Sequence, residues 1–301
     1  MLHYRPLRFY YYCLSLLLLT CTNLLAQQLE LSQSSASTLQ KTNQLDTPDF
    51  RLVIERVKKE LESQDPACLL LVVDLDNTVL AMNQDLGSDQ WFNWQDRLLQ
   101  ENPECAGLVA KDFPGLLKVQ GILFSLSRMH PPEPAIPEII NEIQNLGCST
   151  IILTSRGPDF RNASERELSL AGYNFSKREI KITESERGEF LPYDKTKPDV
   201  HGFSAKELQD LPDPRGVSYS NGFMMVAGQH KGVMLKTLLA RSPHHFQTII
   251  FVDDHAKHTD RVFNTYKNSD TQIITFRYSR EDGNVKRFNT FSKSHVIQQW
   301  K

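Results

Sequence analysis

Three short apolar runs, each closing on an acidic or hydroxyl-bearing cluster, restrict what this chain can fold into. Leu69-Leu70-Leu71-Val72-Val73 leads into Asp74-Leu75-Asp76-Asn77-Thr78, Thr150-Ile151-Ile152-Leu153 into Thr154-Ser155-Arg156-Gly157, and Ile249-Ile250-Phe251-Val252 into Asp253-Asp254. A continuous apolar run, rather than an alternating one, suits a parallel strand covered on both faces. Helical periods lie between the runs. One starts near Pro137, buries Ile139, Ile140, Ile143 and Leu146, and stops at Gly147; another carries Val233, Leu235, Leu238 and Leu239. Strand and helix in alternation predict a wound α/β sheet, in which ligands bind outside the carboxyl ends of the strands. The three polar clusters are therefore expected to converge.

Two long segments interrupt this pattern. Residues from about 81 to 134, with Trp91, Phe92, Trp94, Leu98 and Leu99, read as a mostly helical cap insertion closed by Pro131-Pro132-Glu133-Pro134. Its aromatics fit either a wall gripping substrate or the insertion's own small core. Residues from about 158 to 228 predict a helix after Asn162, a strand at Ile180-Lys181-Ile182 and a hairpin turning at Asn221-Gly222. Upstream, Asp46 or Thr47 can cap a helix with Pro48 in its first turn and Phe50, Val53, Ile54, Val57 and Leu61 on one face.

The N-terminus reads as an export signal over residues 1–26, with Arg5 and Arg8 ahead of an apolar stretch from Leu14 to Ala26. A retained membrane anchor and a lipid anchor on Cys21 are the alternatives. Residues 27–47, rich in Ser, Gln and Thr, predict a flexible linker, so the folded domain is expected over 48–301 and the location is periplasmic or secreted. The formal net charge of −2 offers no field that favours nucleic acid or a membrane surface. Cys68, Cys105 and Cys148 lack the spacing of a zinc or thiol site. His255, His258, His244 and His245 lack a clear fourth ligand. If Asp74 and Thr154 are level on neighbouring strands, Cys68 and Cys148 are level too, and a disulfide between them suits an oxidising destination.

In chain order, Asp74-x-Asp76-x-Thr78, Thr154 at a strand end, Lys231 (with Lys236 as fallback) and the pair Asp253-Asp254 resemble the motifs of the haloacid-dehalogenase (HAD) superfamily. Gly87-Ser88-Asp89-Gln90-Trp91 and Thr154-Ser155-Arg156-Gly157 are similar to stretches in a group of exported bacterial proteins of that type. The resemblance implies a Rossmannoid three-layer sandwich with a helical cap. It also implies an Mg²⁺-dependent phosphatase acting on a phosphorylated small molecule or phosphoprotein. Asp74 would be the nucleophile and Asp76 the acid and base. Asp74, the Asp76 carbonyl, Asp253 and Asp254 would serve the metal, with Lys231, Thr154, Ser155 and Arg156 toward the phosphoryl group. Arg156 fits a substrate contact or a surface ion pair equally.

This residue set suits the chemistry. A phosphomonoester repels an attacking carboxylate, so a divalent cation must bridge the two, and magnesium is the hard, oxygen-seeking ion for the task. A covalent intermediate on Asp74 divides one displacement into two. Within the resemblance, an acid at position 76 points away from dehalogenase and phosphonatase chemistry. A phosphotransferase and a catalytically silent binding or effector protein on the same scaffold are the alternatives.

Overall fold

The computed structural model describes residues 43–183, 187–197 and 203–301; the expected signal over 1–26 and most of the expected linker lie outside them. The fold is α/β. A mostly parallel central sheet is flanked by helices on both faces, a Rossmann-like three-layer sandwich.

In chain order the elements are β1 (Gln44–Thr47), α1 (Arg51–Glu60), β2 (Leu69–Val73), β3 (Ala81–Met82), α2 (Asp89–Glu101), α3 (Phe113–Leu126) and β4 (Met129–His130). Then follow α4 (Ile136–Asn145), β5 (Ser149–Thr154), α5 (Arg161–Leu170), β6 (Gly188–Phe190), α6 (Ala205–Asp210), β7 (Val217–Ser220) and β8 (Phe223–Met225). The chain ends with α7 (Lys231–Leu239), β9 (Thr248–Asp253), α8 (Ala256–Tyr266), β10 (Gln272–Tyr278), α9 (Asp282–Thr290) and α10 (Ser294–Trp300).

The eight-stranded sheet has the order β1-β10-β9-β2-β5-β8-β7-β6. The three apolar runs are thus its central neighbours, with β2 paired in parallel to β5 on one side and to β9 on the other. Strand geometry sends alternate side chains to opposite faces. Leu69, Leu71 and Val73 enter the core shared with α1 and α4, whereas Leu70 and Val72 enter the core shared with α7 and α8. All residues of β2 and β9 are buried, which explains why both read as continuous rather than alternating runs.

Several expectations need correction. Gln44–Thr47, placed in the linker, forms edge strand β1, and the first helix starts only at Arg51. Thr47 does not cap that helix; its Oγ1 accepts from Asp49 N at 3.0 Å. Ile180 and Ile182 are buried around exposed Lys181, as a strand would have them, yet the segment makes no ladder. The Tyr219 hydroxyl donates to the Ile180 carbonyl instead, at 2.8 Å. The Cys68 and Cys148 thiols are free. Leu70 pairs with Ser149, so the register is one residue from that assumed, and Cys68 ends a 3₁₀ turn rather than lying level with Cys148.

The hairpin is where the sequence puts it. Asn221 and Gly222 have φ of 53° and 70° between β7 and β8, as a two-residue turn with both central residues left-handed requires. A Cβ at Gly222 would stand 2.5 Å from the Phe175 carbonyl oxygen. The insertion over 81–134 is mostly helical: β3 and β4 pair as its stem and α2 and α3 form its body. Among the described residues, no helix is long and apolar enough to cross a membrane.

Candidate metal and phosphate site

The site is assembled at the carboxyl ends of β2, β5 and β9. After β2 the chain curls into a tight turn: Val79 N and Leu80 N both donate to the Leu75 carbonyl, at 3.1 and 2.9 Å, and Asn77 N donates to the Leu80 carbonyl at 2.8 Å. Leu75, Val79 and Leu80 are wholly buried and anchor this turn in the core. Asn77 takes a φ of 56°, a left-handed conformation that asparagine tolerates better than most residues. The Asp74 amide donates to the Val252 carbonyl at 2.8 Å, which brings Asp74 level with Asp253. Across the same gap, Asp254 N donates to Thr78 Oγ1 at 3.1 Å.

Lys231, the first residue of α7, reaches into this gap. Its Nζ donates to Asp74 Oδ1 at 2.5 Å and to Asp253 Oδ2 at 2.6 Å, and all three side chains are almost wholly buried. Burial pushes the Asp74 carboxyl up to about 7, helped by Asp253 and Asp76 and opposed by Lys231. Burial pulls the Lys231 ammonium down, but the two carboxylates outweigh it and its pKa is raised. Burial likewise raises Asp254 well above the usual aspartate range.

Asp74, Asp253 and Asp254 each present an oxygen within 4.8 Å of the others, a group able to hold a metal ion. Two observations test the fit. The donors are all carboxylate oxygens, which suits a hard cation. In addition, Asp254 Oδ1 is buried without a hydrogen-bond partner, as an acceptor awaiting a cation would be.

The other expected residues sit differently. Thr154 ends β5, buried, with its Oγ1 accepting from Arg156 N at 3.2 Å. Ser155 contributes its carbonyl to Gly228 N at 2.8 Å. Arg156 is neither on the surface nor open toward a substrate. Its Nε and Nη2 donate to the two oxygens of Asp76 at 2.9 and 2.7 Å, Nη1 donates to Ser164 Oγ at 2.8 Å, and the guanidinium lies 3.5 Å over the Phe124 ring of α3. Asp76 is therefore held by Arg156 and does not join the carboxylate group. Lys236, the fallback for Lys231, lies outside the site and pairs with Glu207 at 3.4 Å.

Sequence reading missed the link from the cap to this centre. His255 Nε2 lies 3.3 Å from Asp89 Oδ2 at the start of α2 and 3.8 Å from Asp254 Oδ2. The Asp89 hydrogen bond is the main cause that raises His255 to about 10, whereas burial and the Lys231 charge pull His258 down to about 4. Asp89, Asp254 and His255 form a second ligand-bearing group; His244 and His245 stand outside it. Gly87-Ser88-Asp89 held the signal, since Ser88 caps α2 by accepting from Trp91 N at 3.3 Å and so fixes where Asp89 starts the helix. Trp91 itself is core: it packs with Leu86, Leu116, Leu123, Phe288 and Val296.

The family described as "Protein of unknown function (DUF2608)" matches residues 50–301, and the chain belongs to it. No curated protein matches the chain.

Proposed function

We propose that this member of the DUF2608 family is a magnesium-dependent phosphomonoester hydrolase of the HAD type, with Asp74 as nucleophile. One observation carries the reading: a buried ammonium, Lys231 Nζ, joins Asp74 and Asp253 at 2.5 and 2.6 Å where two neighbouring parallel strands end. Asp74, Asp253 and Asp254, with the Asp76 carbonyl, would hold the metal. When bound, magnesium supplies the charge that lets an anionic phosphoryl group approach a carboxylate.

Asp74 would attack phosphorus, forming a carboxylate-oxygen to phosphorus bond as the ester oxygen leaves. Asp76 would protonate that leaving oxygen, then take a proton from the water that releases phosphate and restores Asp74. Lys231 would hold the Asp74 carboxylate in place and offset charge developing on the phosphoryl oxygens, assisted by the Thr154 hydroxyl. Arg156 occupies both oxygens of Asp76, so proton transfer requires that pair to open. Phe124 covers the guanidinium from α3, which makes movement of the cap helix the natural means of opening it.

The same clamp favours a second reading, a silent scaffold in which Asp76 serves structure alone. Release of phosphate from a generic aryl phosphate decides between them. The enzyme reading expects release that requires magnesium, is lost in Asp74→Asn, and leaves that variant folded by circular dichroism. No release across a broad panel of phosphate esters supports the silent scaffold. Phosphoryl transfer is distinguished by supplying an alcohol acceptor and analysing for its phosphate ester.

A further inference from the structure

The main chain of Asp254 is held by the sheet, whereas its carboxylate is not. Thr78 Oγ1 accepts from its amide, and Arg277 Nε of β10 donates to its carbonyl at 3.0 Å. The side chain is only 10% exposed, yet Oδ1 accepts no hydrogen bond. Oδ2 faces two nitrogens, Asn77 Nδ2 at 3.5 Å and His255 Nε2 at 3.8 Å. The last torsion of an aspartate is broad, so the carboxylate keeps one orientation only if such neighbours are themselves fixed.

His255 is fixed at two points. Its amide donates to Asp253 Oδ1 at 2.9 Å, while Lys231 holds the other oxygen of that carboxylate, and its Nε2 lies 3.3 Å from Asp89 Oδ2. Facing two carboxylates, that nitrogen carries a proton and donates. Asp89 in turn is placed by the cap. Asn93 Nδ2 donates to its Oδ2 at 2.8 Å, and the start of α2 is bound to α3, because Gln120 Nε2 donates to the Gly87 carbonyl at 2.6 Å. A Cβ on Gly87 would stand 2.9 Å from that of Leu123, so only glycine lets the two helices meet this closely. The packing of the cap thus sets Asp89, the sheet sets the Asp254 main chain, and the imidazole spans the gap between them.

We propose that Asp89 is a positioning residue for the metal: through His255 it orients the Asp254 carboxylate, so that the affinity of the site for its cation depends on where the cap lies. Partners that orient a ligating side chain govern metal affinity by about 10–100-fold. The dependence is reciprocal, since a cap position that favours the ion is favoured by it. The proposal rests on the metal site of the phosphatase reading.

The test titrates the purified chain, without substrate, with manganese(II), a cation suited to carboxylate oxygens whose free form is counted by electron paramagnetic resonance. One ion per chain is expected. Asp89 and His255 are both partly exposed, so their variants are expected to fold, which circular dichroism checks. Asp89→Ala and His255→Ala should each weaken binding by about tenfold or more, and the double variant no further than either alone, because both break one link. Asp89→Asn keeps an acceptor for the imidazole N–H and loses only the charge, so it should bind close to wild type. Unchanged affinity in the alanine variants, or losses that add in the double variant, overturn the proposal and leave the phosphatase reading standing. So does an Asp89→Asn as weak as Asp89→Ala, which would make the effect one of charge alone. Two ions on the wild type, one of them lost in His255→Ala, also overturn it, by making Asp89, Asp254 and His255 a metal site of their own. A wild-type chain that binds no manganese removes the metal site and the proposal together.

Discussion

Lys231 lets two buried carboxylates share one gap beside Asp254. Asp74 and Asp253 are each almost wholly shielded from water, and the ammonium that touches both offsets repulsion that burial would otherwise make prohibitive. Lys231→Met keeps much of the volume and removes the charge. It is expected to lower kcat by about 10²–10³-fold, the range for losing one preorganised electrostatic contact. It is also expected to destabilise the metal-free fold by about 3–5 kcal/mol, because two buried carboxylates lose their partner. Steady-state kinetics and denaturant unfolding measure the two effects, and a variant with normal kcat would remove Lys231 from the chemistry. At this scale the acidic residues were legible because they follow strands directly. The Arg156 to Asp76 clamp was not, since nothing in Thr154-Ser155-Arg156-Gly157 says which carboxylate, eighty residues away, its guanidinium meets.

Among the elements, the close approach of α7 to α8 sets where Lys231 points. A Cβ on Gly232 would meet Thr265 Oγ1 at 2.3 Å and the Arg261 carbonyl at 2.8 Å, so the helices pack at a distance that only glycine permits. Gly232→Ala should therefore destabilise by about 1–3 kcal/mol despite its better helix propensity, and push Lys231 out of line. A thermal melt no lower than wild type would refute this. The stem of the cap is tied to α5 by Glu167, which accepts from Met129 N at 2.8 Å, Arg166 Nε at 2.8 Å and Arg128 Nη1 at 3.2 Å. Burial alone would raise this carboxyl, but the Met129 hydrogen bond and Arg166 outweigh it and hold it below its ordinary 4.5. A carboxylate depressed in the folded state stabilises above its unfolded pKa and loses that contribution as pH falls through the folded value. Stability should thus decline as pH drops below 4.5, and Glu167→Gln, weaker at neutral pH, should decline less steeply. Identical pH profiles by thermal unfolding would count against this role. The central strands were readable from their uninterrupted apolar runs. β10, whose Ile273–Phe276 stretch is of the same kind, escaped reading because Arg277-Tyr278-Ser279-Arg280 follows the run directly and the acidic pair Glu281-Asp282 comes only after it. The false strand at Ile180–Ile182 shows the converse, alternate burial without a partner ladder.

On the scale of the whole molecule, the C-terminus completes the cap. Phe288 of α9 and Val296 of α10 enter the same cluster as Trp91 and Leu116, so the insertion closes its core with residues nearly two hundred positions downstream. That pairing has no local signature, which is why the aromatics of α2 could be read either as a substrate wall or as core. The polar stripe of the same helix faces the cleft beside Asp254, and Asp89 ties the cap to the parallel-sheet centre through His255. The central claim is that Asp74 becomes covalently phosphorylated. Rapid quenching during turnover, followed by borohydride reduction and peptide mass analysis, reads this directly. The account predicts homoserine in place of Asp74, dependent on magnesium and on substrate; turnover without any modification of Asp74, or with the label on another residue, would contradict it.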